Sequence, residues 1–169
     1  GKSLSNNLNF KSNLRFSETN KQYDKEINTA TATHNEEEDG VQASGNISFG
    51  YQLNEKFNNT LTLANTYIKR IYQAAPGSGN TQKDNYYGDR YSYSYKGNYN
   101  FDLDNRIIFG FDNEFDKAEL YNYYTASAYA ESDEAIFSQY FDLQLRPKEN
   151  TYTTFGLRRD YHTTAEDYY

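Results

Sequence analysis

The stretch RYSYSYKGNYNFDLDNRIIFGFDNEFD, residues 90–116, decides the fold that we expect for this chain. Aromatic and aliphatic side chains fill most odd positions on both sides of residues 102–105, namely Tyr91, Tyr93, Tyr95, Tyr99, Phe101, Ile107, Phe109, Phe111 and Phe115. Most even positions are polar or charged, and they include Asp112, Glu114 and Asp116. Alternation with a period of two residues is typical of a β-strand with one apolar and one wet face. The stretch therefore predicts two long strands joined by a short turn.

The same alternation recurs in five other segments, which brings the predicted strands to about seven. Their ranges are residues 8–16, 47–53, 61–71, 137–145 and 155–161. Short connections at residues 54–58, 102–105 and 146–150 alternate with long polar ones at residues 18–42, 73–88 and 118–134. We therefore predict an all-β fold, an antiparallel up-and-down meander of about seven long strands that is part of a transmembrane β-barrel. Such barrels have tight turns at one end and large loops at the other.

The composition restricts the classes of protein to which the chain can belong. It has 169 residues, a net charge of −7 and no basic cluster, so nucleic acid is not an expected partner. The absence of cysteine excludes disulfides and thiolate metal sites. No apolar run reaches the length of about 20 residues that a transmembrane helix needs, and residues 1–20 lack the apolar block of a signal peptide. The 19 tyrosines suit a boundary between a dry and a wet region.

Two environments explain a sheet with one aromatic face. In a membrane barrel this face meets lipid and the opposite face meets a wet lumen, since lipid admits only helices and closed barrels. A basic residue turned toward the middle of the bilayer costs about 2–4 kcal/mol, and an acidic residue costs less. The charged side chains of residues 90–116 therefore indicate which face of the sheet is inward. The alternative is a soluble β-sandwich, in which the aromatic face is a packed core. The length of the predicted strands and the alternating connections favour the barrel.

The last predicted strand carries a resemblance to a known family. The segment NTYTTFGLRRDYHTTAEDYY, residues 150–169, resembles a stretch of the barrels of TonB-dependent outer-membrane receptors, with Gly156, Leu157, Arg158 and Asp160 at the matching positions. The segment GNISFGYQLNEKFNNTLTLANTY, residues 45–67, is similar to the cobalamin or siderophore branch of that family. The plug domain and TonB box of such receptors have no counterpart here. The resemblance thus implies that residues 1–169 are a single internal segment of a barrel, without signal peptide, plug domain or C-terminal strand.

The resemblance also implies a function and a location. The chain would supply wall and outer loops to a transporter in the bacterial outer membrane that imports cobalamin or a ferric siderophore. Its partners would be outer-membrane lipid, the plug domain of the same protein, the TonB complex and the small-molecule ligand. No catalytic constellation is present in the sequence, so we do not expect an enzyme. Two alternatives stay open: a small structural or adhesive barrel, and a soluble secreted β-sandwich that binds carbohydrate through Tyr-rich loops.

Two groups of residues are candidates for contact with a ligand or with the lumen. The first is a set of tyrosines in the long connections, which form either an aromatic rim that captures the ligand or an interfacial aromatic belt: Tyr86, Tyr87, Tyr121, Tyr123, Tyr124 and Tyr129. The second is a set of charged residues that we expect to face the lumen and to form ion pairs there: Asp112, Glu114, Asp116, Arg158 and Asp160.

One acidic run is a candidate metal site. Glu36, Glu37, Glu38 and Asp39 lie in the first long connection, where carboxylate oxygens in an outer loop are suitable ligands for Ca²⁺. The spacing matches no EF-hand, and a run of charges is usually solvated. His34 and His162 lack the spacing of a metal pair, so we interpret both as loop histidines. No other cofactor is expected.

Overall fold

The structure is a computed structural model that describes residues 2–3, 7–23, 36–73, 83–122 and 128–164. Its regular elements are eight strands: β1 Lys2–Ser3, β2 Leu8–Tyr23, β3 Glu36–Gln52, β4 Phe57–Gln73, β5 Lys83–Asn100, β6 Arg106–Asn122, β7 Ala128–Lys148 and β8 Thr151–Thr164. They form one sheet in chain order, and every neighbouring pair is antiparallel. The predicted all-β meander of about seven long strands is confirmed, with the two-residue β1 in addition. Within the described residues β8 pairs only with β7, so the sheet is open.

The long strands extend further than the apolar pattern indicated. β2 ends at Tyr23 and β3 begins at Glu36, so the prediction of one connection over residues 18–42 is wrong, as are those over 73–88 and 118–134. Cross-strand polar pairs continue the ladder where the apolar pattern stops. For example, the Asn20 amide donates to Asp39 at 2.7 Å. Between the described strand ends lie 12, 9 and 5 residues, so the contrast with the short turns is smaller than expected.

Two of the tight turns are held by the same device. The side-chain oxygen of Asn54 accepts hydrogen bonds from the backbone N–H groups of Lys56 and Phe57, both at 2.9 Å. In the β5–β6 turn, Asp102 accepts from the backbone of Asp104 at 2.9 Å and of Asn105 at 2.8 Å. Asn and Asp favour turns because their side chains satisfy backbone donors two or three residues further on. These turns set the register of the long hairpins.

The register sorts the side chains onto two faces. The odd-numbered residues of β3 to β8, as far as the irregularity between Leu145 and Lys148, share one face with the even-numbered residues of β2. We call this the apolar face, because it carries almost all the aromatic and aliphatic side chains of the alternating segments. The opposite side is the polar face. The alternation that predicted the strands therefore continues without a slip across seven strands.

The apolar face is not covered by other described parts of the chain. Leu14 is 86% exposed, Phe16 65%, Leu157 61% and Tyr161 60%. The total accessible surface is 12712 Å², whereas a compact monomer of 19.7 kDa has about 8,600 Å². A contiguous apolar surface of this kind marks an interaction with a membrane or a partner. The described residues form one layer of sheet and not a closed core.

Two glycines admit aromatic rings that lie across neighbouring strands. A Cβ atom on Gly97 would lie 2.6 Å from Cζ of Phe109 on the apolar face. On the polar face, a Cβ on Gly110 would lie 2.6 Å from the hydroxyl oxygen of Tyr140 and 2.0 Å from a backbone oxygen. Glycine in a strand often marks such a close approach. The two ring–glycine contacts pack β5, β6 and β7 together on both sides of the sheet.

Candidate functional site

The apolar side chains form a band of limited height, which we call the apolar band. In β6 it runs from Ile107 to Phe115, and in β2 from Leu8 to Phe16. Eight residue steps of a strand span about 27 Å. With a strand tilt of 35–45°, the height of the band is about 19–22 Å, close to the ~25 Å apolar band of outer-membrane barrels. The height of the band thus suits a bilayer.

The upper border of the band, on the side away from the tight turns, crosses the sheet obliquely. In β3 the last apolar residue is Val41, and in β8 it is Tyr161. The ladder row that contains Tyr161 meets β3 at Ile47, through Phe137, Asn113, Tyr93 and Leu63. From β3 to β8 the border therefore drops by six residues, about 20 Å, over five strand spacings, about 24 Å, whereas in β2 it ends at Phe16, opposite Ala43. The corresponding angle is about 40°, and strands of membrane barrels tilt by about 35–45°.

Charged residues begin directly beyond this border. The ammonium group of Lys117 lies 2.9 Å from Glu119 and 2.7 Å from Glu131, on the next strand. On the two neighbouring strands, Asp89 of β5 and Asp133 of β7 lie opposite Lys117. An apolar band that ends in a row of charges is the arrangement expected where a sheet leaves lipid and enters water.

A few polar residues lie inside the band. The amide of Asn113 donates to the hydroxyl of Tyr93, and Asn65 donates to the carbonyl oxygen of Arg90 at 3.2 Å. Arg159 lies opposite Gln139, between Leu157 and Tyr161 of β8. A long arginine side chain can keep its stem on apolar surface while its head group reaches a polar region. Arg159 is the charged residue among the described strands that departs most clearly from the two-face pattern.

Of the candidate tyrosines, those within the described residues divide between the two faces and lie in strands, not in loops. Tyr86 is on the polar face, where its ring centre lies 5.3 Å from that of Tyr72 in a T-shaped contact. Tyr87 and Tyr121 are on the apolar face beyond the band, and Tyr121 lies opposite Tyr129 in the ladder. Tyr123 and Tyr124 lie outside the described residues. Tyr86 shares its face with the polar cluster, whereas Tyr87 and Tyr121 lie on the opposite side, at and beyond the row of Glu119. Both roles of the tyrosines, ligand rim and interfacial belt, stay predictions.

The five candidate lumen residues come together on the polar face. Arg90, which the sequence analysis did not single out, makes two bonds of 2.6 Å to Asp116 and lies 3.4 Å from Glu114. Arg158 contacts Asp160 at 2.8 Å and Asp112 at 3.8 Å. Its guanidinium also donates to Ser138 at 2.9 Å, and Ser138 is 2% exposed. We call these residues, with Glu134 and His162, the polar cluster.

The polar cluster has an excess of negative charge. The carboxylates of Asp112, Glu114, Asp116, Glu134 and Asp160 outnumber the guanidinium groups of Arg90 and Arg158, so its net charge is −3 with His162 neutral. His162 Nδ1 lies 3.4 Å from Glu134. Such a surface can pair with basic or hydrogen-bond-donating groups that face it. A nucleophile with its own general base is not among these contacts.

The position of the β5–β6 turn in the sequence could have indicated that Arg90 and Asp116 are neighbours. Arg90 and Asp116 are equidistant from Leu103, the middle residue of the β5–β6 turn. In a hairpin whose register is set by its turn, residues equidistant from the turn are cross-strand neighbours. Ser138, by contrast, gave no signal in the sequence, because its contacts come from another strand: Arg158 of β8 donates to its hydroxyl group at 2.9 Å.

The acidic run has a different position from the one expected. Glu36, Glu37, Glu38 and Asp39 are the first residues of β3 and not part of a loop, so the loop prediction is wrong. Strand alternation turns Glu36 and Glu38 to the polar face and the other two to the opposite side. Glu37 accepts from Gln22 at 3.1 Å. Among the described residues no three His, Asp or Glu side chains are grouped to hold a metal ion. Calcium binding at this run stays a prediction without geometric support.

Comparison with known proteins does not identify the chain. No family model matches it, and no curated protein is similar to it. No helix within the described residues is long and apolar enough to cross a membrane.

Proposed function

We propose that this chain is part of the wall of an outer-membrane β-barrel. The observation that supports the proposal best is a single sheet layer with an uncovered apolar band on one face and a charged, hydrogen-bonded cluster on the other. The height of the band and the slope of its border agree with strands tilted in a bilayer. The open edges of β2 and β8 would pair with further strands of the same barrel, since an unpaired strand edge cannot be exposed to lipid.

We propose further that the barrel is a TonB-dependent transporter for cobalamin or a ferric siderophore. This rests on the resemblance of Gly156, Leu157, Arg158 and Asp160 to the family pattern. The polar cluster supports it, because a net negative inner wall suits a plug domain that presents basic and amide groups. The paired strands also continue beyond the band, and Tyr72 and Tyr86 lie on the polar face of that part of the sheet. The part of the sheet beyond the band would capture the ligand, and the wall would line its path.

Two experiments on the full-length protein test the proposal. First, single cysteines at Ser132, in the part of β7 beyond the band, and at Glu55, in a tight turn, are exposed to a membrane-impermeant maleimide on intact cells. Labelling of Ser132→Cys alone is the expected result. Labelling of both, or of Glu55→Cys alone, would contradict an orientation in which the tight turns face the periplasm and the opposite ends of the strands face the cell exterior.

Second, uptake of radiolabelled cobalamin and of ferric siderophores is compared in cells with and without the gene. Uptake of one ligand that needs the gene and stops when the proton gradient is dissipated would support the transporter. A correctly oriented protein whose deletion leaves every uptake unchanged would favour the structural or adhesive barrel.

A further inference from the structure

Charge is divided between two halves of the polar face. Four ladder rows cross this face from β2 to β8, and they begin at Asn9, Lys11, Asn13 and Arg15. In these rows β2 to β5 carry four basic residues and no acidic one, a net charge of +4: Lys11, Arg15, Arg90 and Lys96. The other half, β6 to β8, carries the five carboxylates of the polar cluster and Arg158, a net charge of −4 with His162 neutral. We call the two parts the cationic half and the anionic half.

The basic residues of β2 have no acidic partner in the sheet. Among the described residues, no carboxylate lies within 4 Å of the ammonium group of Lys11 or the guanidinium group of Arg15. By contrast, Arg90, at the boundary between the halves, makes two bonds of 2.6 Å to Asp116. Residues 1–7, which precede β2, contain no Asp or Glu. The counter-charges of Lys11 and Arg15 therefore lie outside the described sheet.

The distance between β2 and the anionic half is large compared with the range of screened electrostatics. Lys11 and Asp112 belong to the same row, and four strand spacings between them amount to about 19 Å. Charges more than about 8–10 Å apart are largely screened at physiological ionic strength. The carboxylates of β6 thus do not neutralise β2, and a small ligand is too short to contact both. A folded protein surface is wide enough to do so.

The middle of the same rows is uncharged and has small side chains. Here β3 and β4 carry only serine, threonine, asparagine, glycine and alanine. The hydroxyl groups of Ser48 and Thr62 share a hydrogen bond of 2.9 Å. Six residue steps and six strand spacings give the four rows an area of about 600 Å². One partner of a standard protein interface buries about 800 Å², so these rows supply most of such an interface.

We propose that the polar face is the docking surface of a protein domain that fills the lumen and presents carboxylates to β2 and basic groups to β6–β8. The inference rests on the proposed function, since it requires that the polar face lines the inside of a closed barrel. Charges in this order fix the rotation of the domain in the barrel, because a half-turn would bring like charges together. The hydroxyl and amide groups of β3 and β4 supply hydrogen bonds between the two charged zones.

The test is a cross-link without a spacer, in outer membranes that contain the full-length protein. A water-soluble carbodiimide joins a lysine amine to a carboxylate in direct contact, with loss of water, and mass spectrometry identifies the joined peptides. We expect Lys11 to be joined to an Asp or Glu of a domain outside residues 1–169. Lys117, whose ammonium group lies 2.7 Å from Glu131, is the internal control for the reaction.

Lysines introduced in one ladder row test the order of the charges. Asn13 of β2 and Ile136 of β7 share a row. Asn13→Lys is expected to add a second cross-link to the same domain, whereas Ile136→Lys is expected to be joined only to carboxylates of the polar cluster. Lys11→Arg keeps the charge and is expected to lose the cross-link.

The outcomes separate the two proposals. A cross-link of Lys11 to the strand beside β2, or none at Lys11 while Lys117 reacts, would overturn the docking surface and leave the membrane wall intact. Cross-links of Ile136→Lys to the domain that are as frequent as those of Asn13→Lys would overturn the order of the charges. Absence of the full-length protein from the outer-membrane fraction would instead make the proposed function fail.

Discussion

A charge in the middle of the apolar band provides the sharpest test of depth. Phe111 is four residues from Ile107 and four from Phe115, the two ends of the band in β6. Four steps are about 14 Å along the strand, or about 10 Å along the membrane normal at a tilt near 40°. In the proposed membrane wall, Phe111 would therefore lie close to the middle of the bilayer and Phe115 close to its border.

Phe111→Arg is expected to destabilise the barrel by about 2–4 kcal/mol more than Phe111→Met. The methionine variant is the reference, because both variants lose the contacts of the ring with Tyr95 at 5.7 Å and with Phe137 at 6.4 Å. At the border the corresponding excess of Phe115→Arg over Phe115→Met is about 0–1 kcal/mol.

The assay is urea unfolding of the full-length protein in phosphatidylcholine vesicles, with the free energy of unfolding extrapolated to water. Ser94→Arg is the control on the polar face, where the residue lies opposite Asp112, and it is expected to cost little. An arginine penalty that is equal at positions 111 and 115 would refute the reasoning, since a packed protein core has no gradient with depth.

Three further predictions concern the packing and charges of the same sheet. Gly97→Ala is expected to destabilise by about 1–3 kcal/mol, because its Cβ overlaps the ring of Phe109; Gly88→Ala is the unobstructed control in the same urea assay. Arg90→Ala is expected to cost no more than about 1 kcal/mol, because the guanidinium is 54% exposed, and a difference from the native protein that persists in high salt would contradict this. The amide of Asn105 and the backbone of the turn lower the pKa of Asp102. Asp102 thus contributes stability above its unfolded pKa, and this stability is lost as the pH falls through its lower folded pKa. The native protein should therefore be more stable than Asp102→Ala at neutral pH and lose this difference in acid. A difference in the free energy of unfolding that does not change with pH would disprove this.

The sequence was sufficient for the fold where side chains alternate sharply. Residues 90–116 specify both strands of a hairpin, because each position has an unambiguous face and Asp102 marks the turn. A shift of one residue would move every ring to the wrong side, so the register is strongly determined. This is why the order and direction of the strands could be predicted without a structure.

The ends of the strands could not be predicted in the same way. Beyond the border both faces are polar, and alternation gives no signal there. Asn20 with Asp39 and Gln22 with Glu37 show that polar cross-strand pairs continue the ladder. For this reason the sequence analysis placed both the acidic run at residues 36–39 and the candidate tyrosines at 86, 87 and 121 in loops.

The candidate polar residues were only partly visible in the sequence. The alternation places Asp112, Glu114 and Asp116 on one face, but their partners are on other strands. Arg90 becomes a neighbour of Asp116 only when the turn is known, and Arg158 reaches Ser138 from β8.

The location of the native protein tests the central claim most directly. Cells are fractionated and probed by immunoblot with an antibody against residues 118–134. The account predicts a band in the outer-membrane fraction that is several times heavier than the 19.7 kDa of this chain. A band near 20 kDa in the soluble fraction would contradict it, because the apolar face would then have to be covered by protein and not by lipid.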